Sequence, residues 1–208
     1  MNGITTLHAL LLDFGGVLIF PENSLQRQHW LDRIGRENDE FESWLWHTPE
    51  ALATLGGELL PEQFWTRIGV QLGLSEEEAL AMAGDYWAGD RLNQAAVDLA
   101  RRARENGLRV GLLSNAYSDL QPYLMPYGIL DLFDDMVISC LVGMIKPDPA
   151  IYRLACSRLG VIPEETLFID DSRENVESAR QVGLRALQFV NEHTLLNAVE
   201  LLRLPSQP

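Results

Sequence analysis

Four polar clusters in this sequence each follow an apolar run. Asp13 follows LHALLL, Ser114 follows LRVGLL, Lys146 follows MVISCLVGMI, and the pair Asp170 and Asp171 follows TLFI. A parallel sheet would bring all four to one edge, where carboxylates, a hydroxyl and an ammonium form a site for a divalent metal and a phosphate. A phosphate monoester is dianionic near neutral pH, so a carboxylate approaches its phosphorus only when cations neutralise the charge between them. A metal held by Asp13, Asp170 and Asp171, helped by Lys146, would do that. Asp13 would then attack phosphorus and carry an aspartyl phosphate, dividing hydrolysis into two easier steps. The Ser114 hydroxyl and neighbouring backbone N–H groups, with Asn115 beside them, would bind the phosphoryl oxygens. Lys146 would orient Asp13 and stabilise the equatorial oxygens as a point charge. Lys146 is the only lysine, against 15 arginines, which suggests a placed charge.

Singly, each of these residues has an ordinary explanation. Aspartate after a strand is a common turn residue, Ser-Asn is a common turn dipeptide, and an acidic pair can cap the helix expected to begin near Ser172. Their order and their shared place at strand ends carry the argument.

The elements needed to position them are legible. Residues 7–12 form a continuous apolar run, the pattern of a parallel strand covered on both faces. The same strand-then-turn grammar returns at 108–115, 136–139, 166–171 and 185–190. Between these runs, 93–106 places Ala96, Val97, Ala100 and Ala103 on one helical face before Gly107. A second helix is predicted over 148–159 with Asp148 as N-cap and Pro149 at its first position, and a third over 172–182 from Ser172 to Gly183. Strand and helix alternate, which predicts an α/β domain with a doubly wound parallel sheet built from 1–20 and 91–208.

Residues 21–90 differ. All five tryptophans lie there, with 14 acidic and 4 basic residues, so the segment carries −10 of the formal charge of −14. Pro61-Glu62 and Ser75-Glu76-Glu77-Glu78 read as helix starts, and the segment is predicted to be an inserted helical cap. Its tryptophans and Tyr86 could stack on a sugar or a base, but they are expected chiefly to form the core of that cap.

The acidic balance argues against nucleic acid or an anionic membrane as the main partner. No run approaches the length of a membrane span, and the amino-terminal residues lack the pattern of a signal peptide. A cytoplasmic protein is expected. Cys140 and Cys156 have no CxxC spacing and read as buried, inert thiols.

LLLDFGGVL, LLSN, IKPDPAIY and FIDDSRENVESAR resemble, in order, the four motifs of the haloacid dehalogenase-like (HAD) hydrolase superfamily. The resemblance covers 7–190, with the insertion where members with a C1-type cap carry it. It is nearest to sugar-phosphate phosphatase-like members whose first motif reads Asp-x-Gly. The resemblance implies Asp13 as nucleophile and metal ligand, Ser114 as phosphate ligand, Lys146 as the third-motif lysine, and Asp170 and Asp171 as the metal-binding fourth motif. It also implies Mg2+ as cofactor, the backbone carbonyl of Gly15 as a further ligand, and a small phosphorylated metabolite, such as a sugar phosphate, as substrate.

One departure stands out. Most phosphatases of this superfamily carry an acid/base aspartate two residues after the nucleophile, where this sequence has Gly15. Loss of a positioned acid costs about 10²- to 10⁴-fold, felt most by alkyl and sugar phosphates and least by a good leaving group such as p-nitrophenolate. His29, His47 and Glu58 are conceivable substitutes, although ordinary surface or core positions suit them better. The alternatives are a non-catalytic phosphate-binding protein and a metal-free 2-haloacid dehalogenase. The paired Asp170 and Asp171 count against the dehalogenase.

Overall fold

A computed structural model of the chain describes residues 6–21 and 25–205. The strands are β1 (Ala9–Leu12), β2 (Ile19–Phe20), β3 (Arg91–Leu92), β4 (Arg109–Ser114), β5 (Asp135–Ile138), β6 (Thr166–Asp170) and β7 (Arg185–Gln188). The helices are α1 (Leu25–Ile34), α2 (Asn38–Leu45), α3 (Pro49–Leu55), α4 (Pro61–Gln71), α5 (Glu76–Tyr86), α6 (Gln94–Glu105), α7 (Leu120–Leu124), α8 (Ser139–Val142), α9 (Pro149–Leu159), α10 (Arg173–Val182) and α11 (Glu192–Leu201).

Five parallel strands make one sheet in the order β5-β4-β1-β6-β7. Because side chains alternate along a strand, β1 sends Leu10 and Leu12 to one layer and Ala9 and Leu11 to the other. The first layer meets Ala96, Ala100 and Ala103 of α6 and Leu195 and Ala198 of α11. The second meets Ile151, Tyr152 and Ala155 of α9 and Val176 and Ala179 of α10. The unbroken apolar run before Asp13 is thereby explained.

The helices start and stop where their caps predict. The Asp148 side chain accepts from the Ala150 N–H at 2.8 Å, Pro149 opens α9, and Gly160 ends it in the left-handed conformation. Ser172 caps α10 and Gly183 ends it. In α5 the Ser75 hydroxyl accepts from the Glu78 N–H at 3.2 Å, and the Glu78 carboxylate accepts from the Ser75 N–H at 2.8 Å.

The chain leaves β1, passes through β4 and β5 on one side, and then crosses back to β6 and β7 on the other. The strand order reverses at β1, and the carboxyl ends of β1, β4 and β6 meet there.

Helices α1–α5 bury a cluster of their own that includes Trp30, Phe41, Phe64, Trp65, Ile68 and Met82. Trp44, Trp46 and Trp87 are half-buried against it, so all five tryptophans pack on this small core. Tyr117 and Ile145, from the loops after β4 and before Lys146, pack into the same cluster. The antiparallel β2-β3 ribbon, Ile19 opposite Leu92 and Phe20 opposite Arg91, joins these helices to the sheet.

The run MVISCLVGMI is not one strand. β5 ends at Ile138, the next four residues coil into α8, and a loop carries the chain on to Lys146. Apolar composition without a clear period cannot separate a strand from a short buried helix. Both cysteines are free thiols, with Cys156 buried but Cys140 only half-buried. Among the described residues no helix is long and apolar enough to cross a membrane.

Candidate active site

The parallel register sets Leu12 level with Leu112 and with Ile169, so the residues that follow on the three strands emerge together. The Asp13 N–H donates to the Ile169 carbonyl at 2.9 Å, extending the ladder one residue beyond β1. Asp13, Ser114, Lys146 and Asp170 are all buried, while Asp171 is exposed.

Lys146 sits at the centre. Its Nζ lies 2.8 Å from Asp13 Oδ1 and 2.6 Å from Asp170 Oδ2, and it donates to the Leu113 carbonyl at 2.9 Å. An ammonium has three donors, and these contacts account for all of them. Asn115 fixes the loop that delivers it: its Nδ2 donates to the Lys146 carbonyl at 2.9 Å and its Oδ1 accepts from the Lys146 N–H at 2.8 Å.

Asp170 is held from several sides. Its Oδ1 accepts from the Ser172 N–H at 2.8 Å, and the Asn175 amide lies 3.0 Å from Oδ1 and 3.1 Å from Oδ2. The Asp13 Oδ1 also accepts from the Phe14 N–H at 2.7 Å.

One carboxylate oxygen each from Asp13, Asp170 and Asp171 lie within 4.8 Å of one another. Three carboxylates therefore face one ammonium, which leaves two negative charges that a divalent cation would neutralise. Burial pushes the Asp13 carboxyl up to about 7, helped by Asp170 and Asp171 and opposed by Lys146. The Asp171 carboxyl, whose residue is exposed but which is partly desolvated where it faces the cluster, is raised first by that desolvation and then by Asp170, whereas the two buried carboxylates hold Lys146 above its ordinary value despite its own burial. This all-oxygen donor set, crowded and short of positive charge, fits a hard ion such as Mg2+.

Two neighbouring glycines differ sharply. Gly16 has φ +73°, and a Cβ there would run into the Asp171 carboxylate. At Gly15 a Cβ would meet nothing within 4 Å.

The structure brings Asp13, Lys146, Asp170 and Asp171 into one cluster, with Ser114 at the end of the adjacent strand. His29, His47 and Glu58 are exposed, and none bonds to that cluster. Sequence reasoning did not assign Asn175 or Gly16 a role in the site. Asn175 lies in the first turn of α10, five residues after Asp170, a spacing from which an amide can reach back. The contact at Gly16 joins segments far apart in the chain and has no signal in the sequence.

The family model for haloacid dehalogenase-like hydrolases matches residues 7–183. This chain belongs to that family. A HAD family enzyme from Bacteroides thetaiotaomicron, solved with magnesium and inorganic phosphate, has the same fold at a TM-score of 0.70 and 26% identity, covering 88% of this chain and 93% of that one. Among curated relatives, a sesquiterpene phosphatase of Aspergillus oryzae is 28% identical over 96% of this chain and 97% of its own. A phosphoserine phosphatase of Thermus thermophilus is 33% identical over 76% of this chain and 66% of its own. The chain is thus a HAD-like hydrolase with phosphatases among its relatives.

Proposed function

We propose that this protein is a magnesium-dependent phosphatase of small phosphate monoesters that works through an aspartyl phosphate on Asp13. The observation that carries the reading is the cluster of three carboxylates around one buried ammonium at the point where strand order reverses. Asp13, Asp170 and Asp171, with the Gly15 carbonyl, would hold the ion, which supplies charge neutralisation at the phosphoryl oxygens. Asp13 Oδ1 is engaged by Lys146 and by the Phe14 N–H, leaving Oδ2 for attack. Oδ2 forms a bond to phosphorus as the ester P–O bond breaks and the alcohol leaves as an alkoxide that takes a proton from solvent; water then attacks the phosphoaspartate, gives up a proton to solvent, and releases phosphate and the Asp13 carboxylate. Ser114 and adjacent N–H groups bind phosphoryl oxygens, and Lys146 favours the ionised form of Asp13 against its burial and aims it. Asn115 fixes Lys146 through its main chain. Residues 21–90 serve as the cap.

Hydrolysis of p-nitrophenyl phosphate tests the reading. Multiple turnovers are expected with Mg2+, with loss in EDTA and in Asp13→Asn at unchanged circular dichroism; an undiminished rate in that variant would remove Asp13 as nucleophile. The relatives' names, one for a sesquiterpene and one for phosphoserine, leave the alcohol half open.

A second reading, a phosphate-binding protein without turnover, is favoured by Gly15, since no acid stands in its place. It predicts saturable binding of phosphate and at most a single turnover. Turnover that persists without metal would instead favour the 2-haloacid dehalogenase.

A further inference from the structure

Five aromatic rings form an arc whose two ends are fixed on the proposed motifs. Phe14, next to Asp13, meets Tyr123 edge-on at 5.9 Å between centroids. Tyr123 meets Trp87 at 6.3 Å, Trp87 meets Trp46 at 6.0 Å, and Trp46 meets Tyr117 at 6.0 Å. Tyr117 stands three residues after Ser114. Three rings belong to the sheet domain and two to the helical insertion, so the arc bridges the two from one phosphate motif to another. Trp46, Trp87 and Tyr123 are only half-buried.

The polar groups near the arc are few and mostly engaged. The Tyr123 hydroxyl lies 3.1 Å from Asp90 Oδ2 and 3.2 Å from the Tyr127 hydroxyl. The Tyr117 hydroxyl is buried and has no partner among the described residues. A buried phenol without a partner is unfavourable, and one polar atom of a ligand would complete it.

Positive charge is scarce on the same side. Of the insertion's four arginines, Arg27 is buried against Glu42 and the Tyr86 carbonyl, Arg33 pairs with Glu78, Arg36 pairs with Glu40, and Arg67 is exposed. A carboxylate or second phosphate on the substrate would add its charge to a segment that already carries −10.

We infer that the alcohol half of the substrate is uncharged and mainly apolar, carries at most one or two polar atoms, and is long enough to lie along the half-buried rings of Tyr123, Trp87 and Trp46. This rests on the phosphatase reading and narrows it away from sugar phosphates and from phosphorylated amino acids.

The test is kcat/KM of the wild-type protein with Mg2+ across straight-chain primary alkyl phosphates of increasing length, beside glucose 6-phosphate, phosphoserine and acetyl phosphate. Primary alkyl esters share one leaving-group basicity, so the missing acid at Gly15 scales them alike. Burial predicts a rise of about fourfold per methylene until the arc is filled, with long esters exceeding glucose 6-phosphate and phosphoserine. Trp87→Ala should flatten that slope. A flat series, or a preference for the polar esters, overturns the inference while acetyl phosphate turnover leaves the phosphatase reading standing. Failure to hydrolyse any of these esters or the anhydride acetyl phosphate removes both.

Discussion

Gly16→Ala separates the proposed metal site from the general stability of the turn. Gly16 has φ +73°, and its added Cβ would collide with the carboxylate of Asp171. The left-handed backbone alone should cost about 1–2 kcal/mol for a residue with a side chain. Asp171 is exposed and can swing aside at little further cost to the fold, but it then stops presenting an oxygen to the other two carboxylates. Losing even a group that only orients a metal ligand lowers affinity about 10- to 100-fold, so displacing a ligand itself should cost at least about tenfold. At a Mg2+ concentration of about 100 times the wild-type Kd, bound metal stabilises the folded state by about 2.7 kcal/mol, and a tenfold weaker site by about 1.4 kcal/mol. The assay is urea denaturation with and without Mg2+, supported by calorimetric titration of the ion. Gly15→Ala is the control: with no atom within 4 Å of the new Cβ, it should leave both quantities close to wild type. Unchanged Mg2+ affinity in Gly16→Ala, or an equal loss in both variants, would refute the assignment of Asp171.

Removing the ammonium in Lys146→Ala strands two buried carboxylates and should destabilise the metal-free protein by about 3–5 kcal/mol; a change below about 1 kcal/mol in EDTA would contradict its central place. The raised Asp13 carboxyl gives a pH dependence with a definite sign. Between the ordinary 3.8 and about 7, the folded protein holds a proton that the unfolded chain has released. Metal-free stability should therefore be greatest below that window and fall as pH rises through it, while Mg2+ affinity increases over the same interval. Denaturation and Mg2+ titrations on either side of the window check both trends, and parallel trends would count against the shift. Gly15→Asp has room for its side chain and should raise turnover of alkyl phosphates by about 10²-fold or more, with a smaller gain for p-nitrophenyl phosphate; steady-state rates on the two ester types decide it, and an equal gain would mean the new carboxyl is not acting as an acid.

Much of this architecture is readable from residue order. The β1 run had to be buried on both faces, the caps of α9 and α10 fall on the residues that chemistry favours, and Asp13, Ser114 and Asp170 share a sheet edge because parallel strands put their ends together. Lys146 is legible as a singular charge, but its route is not, since an apolar run hides where β5 stops and α8 starts. What escaped the sequence depends on contacts between distant segments. Asn175 reaching back to Asp170, Asn115 gripping the Lys146 main chain, Gly16 making space for Asp171 and the aromatic arc from Phe14 to Tyr117 leave no periodic trace. Burial could be anticipated for the tryptophans as a group. Which two of them would meet the sheet domain's tyrosines could not.

The narrow β2-β3 ribbon has an evolutionary implication. Because the outgoing and returning chains lie side by side, a lineage can lengthen, shorten or graft the intervening helices without rethreading a single strand of the main sheet. On the proposed reading, selectivity for the alcohol could then drift quickly while the phosphorus chemistry stays fixed, which suits a scaffold whose relatives include phosphatases named for a sesquiterpene and for phosphoserine.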